Sequence, residues 1–329
     1  MKIFVSKKYS PFFNLTIEEA IAKDEELQDD IIFFYQHDNA VIIGQNQNVH
    51  KEVKLDVLKN ENIELYRRLS GGGAVYHDLG NLNFSFITKK DNSSYEKFLS
   101  PILEFLKSLN LDAKFKGRND LVVNDAKFSG NAQFMHKNKI VHHGTILFNA
   151  DLTKLSKVLN PSKLKMKSKG IESARQRVTN LLNEMHNKIS FEEFFTKMLT
   201  FFKLKYNAEI SDIPEKYLTK AEEFKKIRIS DEWLYGKNPE FSFFNEAKTD
   251  GGILQISANI IKNKISEILF EGDFLSKKNL NEIRKRFVNV EYNKEVLTNL
   301  LNQIENLEDY FGNIKIEEII RIMFGEESE

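Results

Sequence analysis

An α+β fold is what the 329-residue sequence predicts. A large domain with a mixed β-sheet flanked by helices is followed by a small α+β domain. Three observations carry this. Apolar runs of strand length alternate with amphipathic stretches of helix length through the first two-thirds of the chain. A run of strands separated by Asn, Asp and Gly turns, from Gly117 to Phe148, reads as a β-meander. The pattern then breaks around Trp233, Gly236 and Pro239 and resumes as strands followed by helices. The expected boundary gives a large domain of residues 1–237 and a smaller domain of residues 238–329.

In order, the chain opens with a strand, Ile3 to Ser6. A helix is expected from Asn14, because Thr16 and Glu19 have capping-box spacing and Ile17, Ala20 and Ile21 form an apolar stripe. Strands Ile31 to Gln36 and Ala40 to Ile43 flank His37-Asp38-Asn39. Gly44 to Asn48 is a polar loop, Lys51 to Asn60 a helix, and Ile63 to Tyr66 a strand. Leu82 to Ile87 alternates as a strand should. Tyr95 to Leu109 is a helix with Phe98, Ile102, Phe105 and Leu106 on one face. Asn124-Asp125 and His136 to Lys139 are turns. A short helix from Asp151 stops before Pro161. Helices follow at Phe191 to Tyr206 and Pro214 to Ile227. In the tail, Gly251-Gly252 separates a short strand from Ile253 to Ile260, which pairs with Lys264 to Phe270. Three helices close the chain, near Lys277 to Phe287, Asn293 to Leu307 and Ile314 to Phe324.

Composition excludes several chemistries. With 41% hydrophobic and 29% charged residues, the chain can bury a core and is not a disordered polymer. Forty-eight basic residues balance 48 acidic ones, which argues against a nucleic-acid coat. There is no cysteine, so disulfides, thiolate nucleophiles and Cys-based metal sites are excluded. No stretch approaches a membrane span, and the N-terminus has no signal-peptide h-region. A cytoplasmic protein is expected.

Arg67 to Phe86, RRLSGGGAVYHDLGNLNFSF, is the most informative stretch. Three consecutive glycines weaken a strand. They suit a turn, or a loop whose N–H groups form a nest for anionic oxygens. Arg67 and Arg68 would supply charge to a phosphate. No Gly-Lys-Ser/Thr follows, and a strand rather than a helix comes next, so neither the Walker loop nor the dinucleotide fingerprint applies. A second basic stretch, SKLKMKSKG from Ser162 to Gly170, lacks apolar periodicity. With Arg175 and Arg177 beyond it, it reads as a solvated loop, a lid closing on phosphate, or a docking patch for an acidic partner.

Taken together, RRLSGGGAVYHDLGN, GRNDLVV, KFSGNAQ, HHGTILFNADL and the NPSK…KGIES…RVTNL run resemble the lipoate–protein ligase A family. They fall in the family's order across nearly the whole chain, including the C-terminal part carried by long members. One departure is visible in DEWLYG, where Asp231 replaces a second tryptophan often found before Glu232-Trp233.

The resemblance implies a biotin/lipoate ligase-like fold. It also implies an enzyme that makes lipoyl-AMP from lipoate and ATP and passes the lipoyl group to one lysine of a lipoyl domain. Lys127 matches the essential lysine, contacting the lipoate carbonyl and the α-phosphate. Arg68, Gly73, Ala74, Val75, Tyr76, Asn119 and Asp120 match ATP-binding positions. Arg68, Ser70, Gly71, Gly72, His77, His143 and Gly144 match the lipoate side. Asp120 is the candidate ligand for Mg²⁺, which favours carboxylate plus phosphate oxygens. His142 reads as structural, and His143 equally as structural or as pocket wall. Implied partners are 2-oxoacid dehydrogenase E2 subunits or the glycine cleavage H protein, with no nucleic acid, no membrane, and the ligase a monomer. Two alternatives stay open: an octanoyl or lipoyl acyltransferase of the same superfamily, and a non-catalytic module binding lipoyl domains or nucleotide.

Overall fold

The computed structural model describes residues 1–90, 94–159, 178–235 and 243–325. The basic segment from Ser162 to Gly170, and Arg175 and Arg177 after it, lie outside the described residues.

The chain begins with β1 (Lys2–Val5), α1 (Pro11–Lys23), β2 (Ile31–Tyr35) and β3 (Ala40–Ile43). Then come α2 (Val49–Glu52), α3 (Leu55–Asn60), β4 (Glu64–Arg67), β5 (Val75–His77), β6 (Asn81–Lys89) and α4 (Tyr95–Ser108). The meander comprises β7 (Ala113–Lys116), β8 (Asp120–Val123), β9 (Ala126–His136) and β10 (Lys139–Leu147). After it run α5 (Leu152–Val158), α6 (Leu181–Glu184), α7 (Phe191–Tyr206), β11 (Glu209–Ser211), α8 (Glu215–Arg228) and α9 (Asp231–Tyr235). The tail holds β12 (Phe243–Thr249), β13 (Gly252–Ile261), β14 (Lys264–Gly272), α10 (Asn281–Phe287), α11 (Lys294–Asn302), α12 (Leu307–Phe311) and α13 (Ile316–Phe324).

Eight strands make the central mixed sheet, in the order β11-β1-β2-β6-β10-β9-β8-β7. The pairs β11–β1 and β1–β2 are parallel, and every later pair is antiparallel. β2 shows why its sequence, IIFFY, is apolar without alternation. Ile32 and Phe34 enter the core shared with α4 and α7, while Ile31, Phe33 and Tyr35 enter the core shared with α1 and α8. A strand covered on both faces needs no polar side.

A second, three-stranded sheet, β4-β3-β5, packs against α2, α3 and α5. The tail forms its own antiparallel sheet, β12-β13-β14, around a separate core that includes Phe270, Phe287, Phe311 and Ile319.

Several expected boundaries move for visible reasons. α1 starts at Pro11, not Asn14, because the fixed φ of proline suits the first helical turn. There is no capping box at Thr16: its hydroxyl donates to the Phe12 carbonyl inside the helix, and Glu19 pairs with Arg228. The expected helix from Lys51 to Asn60 is two helices. Between them Lys54 N–H donates to the Val158 carbonyl at 2.9 Å and Val53 bridges Leu159. In the tail, α10 begins at Asn281 rather than Lys277. The residues before it make backbone bonds across the domain interface, Gly272 N–H to Asn46 O and Met135 N–H to Lys277 O. The next expected helix, Asn293 to Leu307, ends at Asn302 as α11, and Asn306, in a left-handed conformation with φ 52°, separates it from α12.

Candidate active site

The two sheets of the large domain meet around a cavity of about 160 Å³. Its floor crosses four strands of the central sheet in one line. Gly130 N–H donates to Thr145 Oγ1 at 3.1 Å, Thr145 is in register with Asn83, and Asn83 with Tyr35. All four line the cavity. Three strand spacings make that line about 14 Å long. Ile42, Val75 and His77 of the second sheet and Leu15 of α1 also line it.

Lys127 stands at the Gly130 end. The β8–β9 turn, Asn124-Asp125, has φ 49° and 62°, the left-handed pair that a tight two-residue hairpin requires. The turn sets Lys127 early on β9, and its chain runs back over Gly130. A Cβ at position 130 would lie 3.2 Å from Lys127 Nζ, so glycine leaves the path open. The ammonium is 2.5 Å from Asp120 Oδ1, with the two side chains 37% and 36% exposed. Both charges are therefore half-solvated and available for exchange with a ligand. The backbone beneath is held separately, by Thr179 N–H donating to the Lys127 carbonyl at 2.8 Å.

Arg68 is buried beside the cavity and serves first as a clamp on the glycine loop. Its guanidinium donates to the carbonyls of Gly71 at 2.7 Å and Gly73 at 2.9 Å, and to Ser70 Oγ at 3.0 Å. Burial lowers its pKa to about 10, which leaves it charged at neutral pH. Arg67 corrects the sequence expectation. Its donors go to backbone carbonyls of Gln47, Trp233 and Leu234, so it pins the polar loop to α9 and offers nothing to a phosphate.

The glycine loop also differs from an open nest. Gly71 N–H donates to Ser276 O at 3.0 Å and Gly72 N–H to Phe274 O at 2.9 Å, both in the C-terminal domain. A Cβ on Gly71 would sit 2.4 Å from Ser276 N, so only glycine permits this seating. Gly72 has φ 98°, and Gly73 faces open space. Gly44, read from sequence only as part of a polar loop, is equally required: its Cβ would lie 2.0 Å from Gly72 O.

A buried polar chain runs away from Arg68. Ser70 Oγ is 2.6 Å from His143 Nε2, and His143 Nδ1 is 3.0 Å from Glu18 Oε2. Ser85 donates to the same carboxylate. Because Ser70 Oγ accepts from Arg68, its proton goes to His143 Nε2, and His143 Nδ1–H donates to Glu18. His143 is thus pocket wall rather than a core filler. His142 is the structural one, stacked on Phe98 at 4.9 Å with burial pushing its pKa well down.

Of the sequence-predicted residues, Arg68, Gly72, Gly73, Ala74, Val75 and His77 line the cavity. So do Asn119, Lys127, His143 and Gly144. Ser70, Gly71, Tyr76 and Asp120 do not. Ser70 acts through His143, Gly71 faces the C-terminal domain, and Asp120 meets Lys127. The Tyr76 side chain packs into the core behind the second sheet, leaving only its backbone for the site. Sequence reasoning missed Glu18, Asn131, Tyr35, His37 and Asn83. Asn131 and Asn119 exchange bonds, side-chain amide to main-chain carbonyl, at 2.6 and 3.0 Å. The Asn131 Oδ1 atom lies where a Cβ at Gly144 would be, 2.0 Å away. Glu18 carried no signal, because a carboxylate in an amphipathic helix reads as solvent-facing, whereas α1 is buried nearly all round.

Comparison with known proteins places this architecture. Residues 10–203 match the lipoyl protein ligase A/B catalytic domain, and residues 238–323 match the bacterial lipoate protein ligase C-terminus. Lipoate-protein ligase LplJ of Bacillus subtilis is 36% identical over 324 residues, 95% of this chain and 97% of that protein. Lipoate–protein ligase 1 of Staphylococcus aureus is 36% identical over 95% of this chain and 96% of its own. Among solved structures, P. falciparum LipL1 in complex with lipoate superposes with a TM-score of 0.84 at 26% identity, covering 99% of both chains. A bi-partite lipoate protein ligase from Thermoplasma acidophilum, described with its E2 lipoyl domain, gives 0.64 at 30% identity, over 74% of this chain and 98% of that one. A lipoate-protein ligase A bound with ATP gives 0.62 at 29% identity, over 71% and 98%. With both domains matched along nearly its whole length, the chain belongs to the lipoate–protein ligase A family.

Proposed function

We propose that the chain is an ATP-dependent lipoate–protein ligase whose acyl slot is the cavity between the two sheets. The observation that carries this is the Lys127 ammonium at one end of a 14 Å line of cavity-lining residues, with Arg68 buried alongside. In the first step a lipoate carboxylate oxygen attacks the α-phosphorus of ATP and the bond to pyrophosphate breaks. In the second, a lysine amine of the acceptor attacks the carbonyl of lipoyl-AMP, and AMP leaves.

The first step brings two anions together, so preformed positive charge supplies the rate. Lys127 is assigned to bridge the carboxylate and the α-phosphate. Arg68 adds a buried positive charge and holds the glycine loop in shape, with the Gly73–Tyr76 backbone facing the nucleotide. Asn119 and Asn131, locked to each other, wall the same end. Asp120 holds Lys127 until the nucleotide arrives. A Mg²⁺ carried on the nucleotide would neutralise phosphate charge, and Asp120 is the carboxylate placed to share it. A single half-exposed carboxylate beside an ammonium suits a metal delivered with phosphates rather than a protein cage. Among the described residues no three His, Cys, Asp or Glu side chains cluster to form such a cage.

We divide the chain at residues 237 and 238, which the separate tail core supports. Because the C-terminal domain occupies the Gly71 and Gly72 amides, those groups become phosphate donors only when that domain withdraws. A domain swing between adenylation and transfer follows. No described helix is long and apolar enough to cross a membrane. We assign the ligase to the cytoplasm as a monomer, with E2 subunits of 2-oxoacid dehydrogenases or the glycine cleavage H protein as acceptors. The test is a mass measurement on a purified lipoyl domain incubated with the chain, lipoate, ATP and Mg²⁺. The lipoyl mass should appear on one lysine and should require ATP. Transfer from an acyl carrier protein without ATP would favour the acyltransferase alternative.

A further inference from the structure

The far end of the slot, away from Lys127, is polar where an alkyl chain would want it apolar. His37 and His77 line the cavity there, 1% and 4% exposed, beside Tyr35 and Asn83. Their Nδ1 atoms are 3.1 Å apart and their rings stack with centroids 5.3 Å apart. One proton must lie between the two Nδ1 atoms, which fixes both tautomers reciprocally. The donor ring then has a bare Nε2 and the acceptor ring an Nε2–H. Neither Nε2 has a hydrogen-bond partner among the described residues. Burial pushes both pKa values down, and at His77 the Arg68 guanidinium adds to it and takes the value to about 3, so the pair is neutral at pH 7.

The pair therefore offers one unmet N–H donor and one unmet lone pair to whatever fills the slot. An alkyl terminus would dehydrate both without replacing either bond, which is costly for buried polar groups. A sulfur atom accepts the N–H, weakly, and also packs well on the neighbouring aromatic Tyr35. Sites built around unmet polar groups reject analogues that lack the matching atom.

We propose that the His37–His77 pair is a specificity element that selects acyl groups carrying sulfur at the far end, the dithiolane of lipoate, over alkyl acids of similar length such as octanoate. This rests on the ligase reading above and names which acid its slot prefers.

The test compares kcat/KM for pyrophosphate release with lipoate, octanoate and 5-cyclopentylpentanoate, the last having the ring without sulfur. In the unmodified protein, lipoate should exceed both sulfur-free acids by about tenfold, the worth of one modest hydrogen bond. In His37→Phe and in the double variant His37→Phe/His77→Leu, the lipoate-to-octanoate ratio should fall about tenfold. Equal use of lipoate and the cyclopentyl acid by the unmodified protein would overturn the proposal without any variant needing to fold. An unchanged ratio in variants that melt cooperatively would overturn it too, whatever their absolute rates. Pyrophosphate release with none of the three acids would overturn the ligase reading along with it.

Discussion

Replacing Lys127 with alanine separates catalysis from folding. The side chain is 37% exposed, and its partner Asp120 is 36% exposed. Half-solvated pairs of this kind contribute about 0–1 kcal/mol. The backbone at 127 is fixed by main-chain groups, Thr179 N–H on its carbonyl and the β8–β9 ladder at Val122, none of which the substitution touches. The melting temperature should therefore move by no more than about 3 °C. Catalysis is another matter. In the proposed mechanism the ammonium stands at the end of the slot where the carboxylate of the acid and the α-phosphate meet. Loss of one preorganised donor at a developing charge costs about 2.7–4 kcal/mol, or 10²–10³-fold in rate. Lipoate-dependent pyrophosphate release by Lys127→Ala should fall by that factor. A folded variant within tenfold of the parent would refute the assignment.

Three further outcomes are expected. Gly71→Ala places a Cβ 2.4 Å from Ser276 N and 2.5 Å from Phe274 O, both backbone atoms, so the C-terminal domain must unseat. X-ray scattering should show a larger radius of gyration, and an unchanged profile would contradict the seating. Gly72→Val meets both a left-handed φ of 98° and Arg68 Nη2 at 2.8 Å. The ATP requirement should rise sharply, and unaltered ATP binding by calorimetry would count against the glycine loop. Arg228→Met leaves the buried Glu19 carboxylate with Lys23 as its one remaining ion-pair partner among the described residues, and should cost up to about 3–5 kcal/mol at pH 7. Burial raises the Glu19 pKa, but the hydrogen bond and charge of Arg228, then Lys23, outweigh it and leave the value lowered. The pair's contribution is thus complete above the unfolded carboxylate value of about 4.3 and is lost as pH falls through the lower folded one. The gap in urea midpoint between parent and variant should close below about pH 4, and a gap independent of pH would contradict it.

What was legible in the sequence follows from how local each signal is. Strands and helices with clear periodicity, such as the nine-residue β6 and the sixteen-residue α7, appear where the pattern puts them. The short strands β7 and β11 were invisible, because three or four residues carry too little pattern. Their existence depends on partners, β8 and β1, that only the fold supplies. The glycine loop, Lys127 and His143 were legible as motif, but not their partners. Nothing local tells that Arg67 spends its guanidinium on the polar loop and α9, or that Gly71 serves the C-terminal domain. Glu18 and the His37–His77 pair were missed for the same reason. A buried polar contact between residues 40 or 125 positions apart leaves no periodic trace.

The most direct test of the central claim is ATP–pyrophosphate exchange without any acceptor protein. If the chain forms an acyl-adenylate, labelled pyrophosphate should enter ATP only when lipoate is present, and Lys127→Ala should reduce that exchange by 10²–10³-fold. Exchange that ignores lipoate, or none at all from a protein that still lipoylates its acceptor, would contradict the account.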